Sequence, residues 1–334
     1  MIKSKIYINI LTPFTKETFM RQLPSTFESE GIVFGENSKE DRVWDMIVVY
    51  EGLSNMRKFK CKEGGLVFIS GEPPLSRKYS YYFLKQFNHL LTSHPNVNHK
   101  NNHLTQQALP WHFGLSFKTK KFNYCFDDLV DLPIPVKTNK LSIITSNKKM
   151  MPGHKERMVF LDALKNKFGD QIAVFGQGIN PVDDKAEALL SYQFCICIEN
   201  SAINDYWSEK IADSYLGYCI PIYHGCKNIT SYFEEDSLIK ININNINESI
   251  KTVENVLLNS DKVYSDKIES IKVARNKLIF EYNLFNVLAD FYSKYLGNEN
   301  SEDQVVSLKP SEVYWDHKLK KNILRLRRFI LRIK

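Results

Sequence analysis

Residues 194–225 constrain this chain more than any other segment. The run 194–198 is short, apolar and bounded by polar residues, which is how a buried parallel strand reads. The loop after it carries Glu199, Asn200, Ser201, Asn204, Asp205, Tyr206 and Ser208. A helix begins near Ser208 and ends at Gly217, a residue suited to the C′ position. A second strand covers 219–223, and Gly225 closes the unit. Open α/β sheets bind ligands where strands end and helices begin. Lys210, in the first helical turn, suits a phosphate-bearing ligand. A plain βαβ crossover with an exposed polar loop fits the same residues equally well.

The flanking sequence repeats that alternation. Strands are predicted over 141–145 and 171–176, a loop over 146–153, and helices over 155–168 and 182–192. Helical periodicity dominates 244–296. Upstream, strands are expected at 5–11, 31–35, 44–50 and 66–70, a helix at 79–91, and a loop at 94–103. The prolines of 132–139 read as a linker. Alternating strands and helices imply parallel sheets covered on both faces. The expected division is an N-terminal α/β domain over 1–135, a second over 141–298, and a tail over 310–334.

With 334 residues, the chain is long enough for two domains. No apolar run approaches the length of a membrane span, and 1–11 lacks the apolar core and cleavage site of a signal peptide. The six cysteines include no CxxC pair. Cys195 and Cys197 sit in a buried-looking strand, where small apolar packing is the expected role, as in a reducing cytosol.

The net charge is +7, but 318–334 holds eight cations and no acid. Without them, 37 basic residues face 38 acidic ones. A neutral body argues against a nucleic-acid partner. In the tail, Leu319, Ile323, Leu326, Ile330 and Ile333 form one helical stripe flanked by Lys and Arg. Such a helix is expected to lie on an anionic membrane surface; the alternative is a helix docked on the protein or on a coiled-coil partner.

Candidate chemistry is sparse. Glu72 follows a predicted strand on a Gly/Pro-fixed turn, where a carboxylate could serve as general base or simply face solvent. Arg157, early in its helix, could fork onto a phosphate or be a plain surface arginine. Trp111 and His112 could contact a sugar acceptor or belong to a core cluster. Asp127-Asp128 and Asp183-Asp184 lack metal-ligand spacing, no phosphate-binding glycine loop follows a strand, and no metal site is expected.

Glu199-Asn200-Ser201, then 205–210, Gly217 and 220–225 together resemble the signature of the α1,3/4-fucosyltransferases, glycosyltransferase family ten. Ser146-Asn147 with Arg157, Phe160 and Leu161 is similar to another segment of that family. Residues 66–72 resemble its strand ending in Thr-Gly-Glu, as bacterial members have it. The cationic C-terminal helix is also similar to those of bacterial members. The resemblance covers about 65–330 and is strongest over 141–245.

It implies a GT-B fold, two Rossmann-like domains facing a cleft, with the donor held mainly by the second. It implies inverting transfer of L-fucose from GDP-β-L-fucose to a GlcNAc- or Glc-type hydroxyl, with no metal or other cofactor. By motif, Glu72 would be the base, Arg157 and Lys210 would bind the diphosphate, and Glu209 the ribose. Asn200 and Tyr206 would complete the donor pocket. A bacterial surface glycan such as a lipopolysaccharide precursor is the expected acceptor, at the inner face of the plasma membrane. The chain departs from the pattern at Ile198, Ser208 and the bulky Trp207, and it lacks the heptad repeats of some bacterial members. Those loop changes leave room for another nucleotide sugar, and a non-catalytic glycan-binding relative is a further alternative.

Overall fold

The computed structural model describes residues 5–14, 18–145, 152–297 and 301–314, the side chains of 152–154 excepted. The chain divides into two compact units. One comprises Met1–Lys16, Thr26–Thr105 and Ala289–Lys334; the other comprises Glu17–Ser25 and Gln106–Leu288.

The first unit contains β1 (Ile6–Leu11), β2 (Ile32–Glu36), β3 (Val43–Trp44), β4 (Met46–Tyr50), β5 (Arg57–Lys62), β6 (Leu66–Ile69), α1 (Tyr81–Leu84), β7 (His89–Thr92) and β8 (Asn102–Leu104). Six strands form a wholly parallel sheet in the order β2-β1-β4-β6-β7-β8. β4 and β6 are buried at every position, so they read as unbroken apolar runs. From β1 the chain turns to β2 on one side, and from β4 it turns to β6 on the other. The order therefore reverses between β1 and β4, and ligands of such sheets bind at the strand carboxyl ends there. A small second sheet pairs β5 with β3 and with the antiparallel strand Asp303–Leu308.

The second unit contains α2 (Phe126–Asp131), β9 (Asn139–Ile144), α3 (Pro152–Phe168), β10 (Ile172–Phe175), β11 (Tyr192–Ile198), α4 (Glu209–Leu216), β12 (Ile220–His224), β13 (Ile239–Lys240), α5 (Ile246–Leu258), α6 (Ser260–Phe280) and α7 (Leu284–Tyr295), the residues of α7 beyond 288 belonging to the first unit. Its sheet, again parallel, runs β10-β9-β11-β12-β13. Here the order reverses between β9 and β11.

Several expectations change. The helix foreseen at 79–91 is only the single turn α1, and 89–92 is strand. Asn88 ends it by pairing with Leu66 through both its backbone N–H and its side-chain oxygen, which leads the chain into the sheet beside β6. The expected 182–192 helix is one 3-10 turn, Lys185–Ala188, held by a capping box of Asp184 and Glu187. β5 had no forecast, and β8 begins inside the expected 94–103 loop.

The units divide at 105/106 rather than at 135. Residues 132–139 lie within the second unit, where the Leu132 carbonyl accepts from Tyr218 and Lys137 Nζ donates to the Leu189 and Gly217 carbonyls. Residues 146–151 and 315–334, which include the expected loop Ser146-Asn147 and most of the cationic tail, lie outside the described residues.

Candidate functional site

In the second unit, β11 delivers Glu199 to the switch point, and its side chain is fully buried. A Cβ at Gly225 would fall 2.4 Å from Glu199 Cγ, so only glycine fits beside this acid. Glu199 Oε1 accepts the Ser208 N–H at 2.8 Å, and Oε2 accepts Ser208 Oγ at 2.6 Å. Ser208 is also the N-cap of α4, its Oγ accepting from the Lys210 N–H.

Lys210 Nζ lies 2.9 Å from Ser208 Oγ, 3.3 Å from Glu199 Oε2 and 3.5 Å from Glu209 Oε1. A cation at the positive end of a helix is unfavourable without anions, and two acids supply them here. Burial alone would lower the Lys210 ammonium, but Glu209 and Glu199 outweigh it and hold it above its ordinary value. Burial likewise pushes the Glu209 carboxyl up, while Lys210 and Lys185 bring it well below the carboxylate range.

A second ion pair adjoins the first. Lys185 Nζ stands 2.6 Å from Asp213 Oδ2 and 3.9 Å from Glu209 Oε1. Asp213 Oδ1 accepts the N–H groups of His112 and Phe113, both at 2.9 Å. Burial would lower Lys185; Asp213 and Glu209 raise it instead. Burial holds the His112 imidazole below its ordinary value, with Lys185 adding to the effect.

Across the switch point, Arg157 on α3 is buried and donates from Nη1 to Asn200 Oδ1 at 3.3 Å. Burial depresses the guanidinium below its usual value. Tyr206 is also buried, and it acts electrostatically on Lys210. The loop between is pinned at Asp205, whose φ is +59°. Asn228 and Tyr232 each donate to Asp205 Oδ1 at 2.7 Å, and Gln107 donates to its carbonyl at 2.8 Å.

Asn200, Tyr206, Glu209 and Lys210 thus lie between the end of β11 and the start of α4, and Arg157 on α3 reaches Asn200. Two tryptophans fall in the core, which decides the alternatives left open for Trp111. Trp111 is a core residue with 2% exposure, so it offers no face to a sugar. Trp207 is buried edge-on among Tyr232, Phe233 and Tyr282, so its bulk fills core rather than a ligand pocket. His112, half-buried, belongs to the second unit beside Lys185 and Glu209. Sequence reasoning missed Lys185, Asp213 and the structural role of Glu199. Asp213 lies four residues past Glu209 on the same helix face, the one signal that could have found it.

In the first unit, Glu72 is exposed just past β6. Its N–H donates to Glu51 Oε1 at 2.7 Å, and its carbonyl accepts from Ser70 Oγ at 2.9 Å and His94 Nε2 at 2.8 Å. Among the described residues, no three His, Cys, Asp or Glu side chains converge as a metal site.

Residues 134–267 match the family model described as glycosyltransferase family 10 (fucosyltransferase) C-term. The chain is 30% identical over 213 residues to alpha-(1,3)-fucosyltransferase FucT of Helicobacter pylori, covering 60% of this chain and 41% of that protein. It therefore spans well under half the length of this relative. A crystal structure of an alpha1,3-fucosyltransferase with GDP-fucose superposes with a TM-score of 0.54 at 19% identity, covering 89% of this chain and 92% of that one. A second, with GDP, gives 0.51 at 18% identity, covering 85% and 94%. The shared fold, two parallel α/β units, is GT-B.

Proposed function

From the premise that residues 134–267 are a glycosyltransferase family 10 domain, we propose that the chain transfers L-fucose from GDP-β-L-fucose with inversion and without a metal. The observation that carries this reading is Lys210. It stands on a capped helix N-terminus at a sheet switch point, between Glu199 and Glu209 and in the same unit as the Arg157–Asn200 pair. Helix N-termini and cations of this kind bind diphosphates.

In the proposed reaction an acceptor hydroxyl oxygen attacks the fucose anomeric carbon opposite the diphosphate. The new C–O bond forms as the bond to phosphate breaks, and GDP leaves with the electron pair. Arg157 and Lys210 stabilise that developing charge. Glu209 holds the ribose hydroxyls, and Asn200 and Tyr206 complete the donor pocket. The hydroxyl proton passes to the Glu72 carboxylate as general base. Glu72→Ala should lower kcat roughly 10²–10⁴-fold while GDP affinity stays unchanged. Near-normal turnover would remove Glu72 from this role.

The acceptor we propose is a GlcNAc- or Glc-type unit of a bacterial surface glycan, a lipopolysaccharide precursor, met at the inner face of the plasma membrane. The support is the cationic, amphipathic pattern of 318–334. Deleting 318–334 should release the protein from vesicles containing anionic phospholipid and spare turnover of a soluble acceptor. Undiminished vesicle binding would contradict the membrane role.

A further inference from the structure

Glu51 stands at the end of β4, where the strand order of the first sheet reverses. Its φ is +66°, and the Gly52 N–H donates across it to the Tyr50 carbonyl at 2.8 Å. This is a γ-turn with its centre at positive φ, the rare and strained form. Such strain persists only where the surroundings fix it, and it clusters at functional sites.

The Glu51 side chain is buried, although an acid is costly to desolvate. Its Oε1 accepts the Glu72 N–H at 2.7 Å and the Tyr79 hydroxyl at 2.9 Å. Its Oε2 meets Arg77 Nη1 at 3.0 Å. From the other direction, His94 and Ser70 hold the Glu72 carbonyl. His94 is itself fixed, its N–H donating to Thr92 Oγ1 and its carbonyl accepting from Asn102 Nδ2. The peptide groups on both sides of Glu72 are therefore tied to buried polar side chains from neighbouring strand ends. An ordinary surface glutamate needs no such support.

We propose that Glu51 is a positioning residue for Glu72, with His94 holding the opposite peptide; this rests on the reading of Glu72 as the base. The clamp fixes where the Glu72 carboxylate starts from, and a misplacement of about 1 Å in such a group can cost ~10²-fold in rate. Glu51 touches no substrate in this scheme and acts through backbone alone.

The test measures kcat and KM with GDP-fucose and N-acetyllactosamine for the full chain, alongside amide exchange of the 66–80 segment. Glu51→Ala should lower kcat about 10²-fold, leave KM for GDP-fucose unchanged, and speed exchange of the Glu72 amide. Glu51→Gln keeps the accepting oxygen and should recover most of the lost kcat. An inactive Glu72→Ala beside a Glu51→Ala with wild-type kcat would overturn the positioning role alone. An active Glu72→Ala would overturn the base assignment, and this proposal with it. Should Glu51→Ala not fold, His94→Ala carries the test. A tenfold or greater loss of kcat at constant KM supports the clamp, and wild-type kcat overturns it.

Discussion

Asp213 shows how much of the site depends on a residue that binds nothing itself. It lies on α4, 2% exposed at its side chain, and joins Lys185 to the backbone of His112 and Phe113. Removing one partner of a buried ion pair strands the other charge, at a cost of about 3–5 kcal/mol. Asp213→Ala should show that loss in urea unfolding, and a loss under ~1 kcal/mol would contradict the network. The pH dependence has a defined sign. Lys210 and Lys185 are raised, so their contributions are complete below the ordinary lysine value of 10.5 and fade only as pH climbs through the higher folded values. Glu209 is depressed, so its share is complete above 4.5 and is lost as pH falls towards the folded value. At this scale the sequence was partly legible. Glu199, Asn200, Tyr206, Glu209 and Lys210 fall within one short stretch. Lys185 and Asp213 meet across 28 positions, and no local pattern records that contact.

Among the elements, α4 carries both stability and ligand chemistry at its first turn. Ser208 caps the helix, fills the Glu199 carboxylate and receives Lys210 Nζ. Ser208→Ala should cost about 0.5–2 kcal/mol of stability from the cap. It should also weaken GDP binding about tenfold, ~1.4 kcal/mol, because Lys210 and Glu199 lose their shared partner. Calorimetry finding GDP affinity unaltered would separate the cap from the site. The other end of α4 corrects an expectation. Gly217 does not take the left-handed position; Tyr218 does, at φ +54°. The N–H groups of Tyr218 and Cys219 return to the Tyr215 and Ser214 carbonyls, a Schellman closure. Glycine is required at 217 because a Cβ there would lie 2.7 Å from Leu189 Cβ. Strong apolar runs such as β4 and β6 were legible. β7 was not, since its Leu90-Leu91 continues the period of the preceding helix and only pairing with β6 decides it.

At the scale of the molecule, the second unit was legible from its alternation of strands and helices, and the first from its strands alone, since its expected helix is a single turn. Their boundaries were not, because the divisions follow packing that leaves no mark in composition. The segment 17–25 joins the second unit, where Gln22 accepts from the backbone of Trp111 and Asn283 donates to the Gln22 carbonyl. The strand Asp303–Leu308 returns to the first unit by pairing with β5. The proposed base and the proposed donor grip belong to different units, so neither suffices alone for the reaction described. The most direct measurement is a titration of the intact chain with GDP-fucose, GDP-mannose and UDP-sugars, with mass detection of any transferred residue. The account predicts that GDP-fucose binds, that UDP-sugars do not, and that a deoxyhexose is transferred. Failure of every guanine nucleotide to bind, or transfer from a UDP-sugar instead, would contradict it.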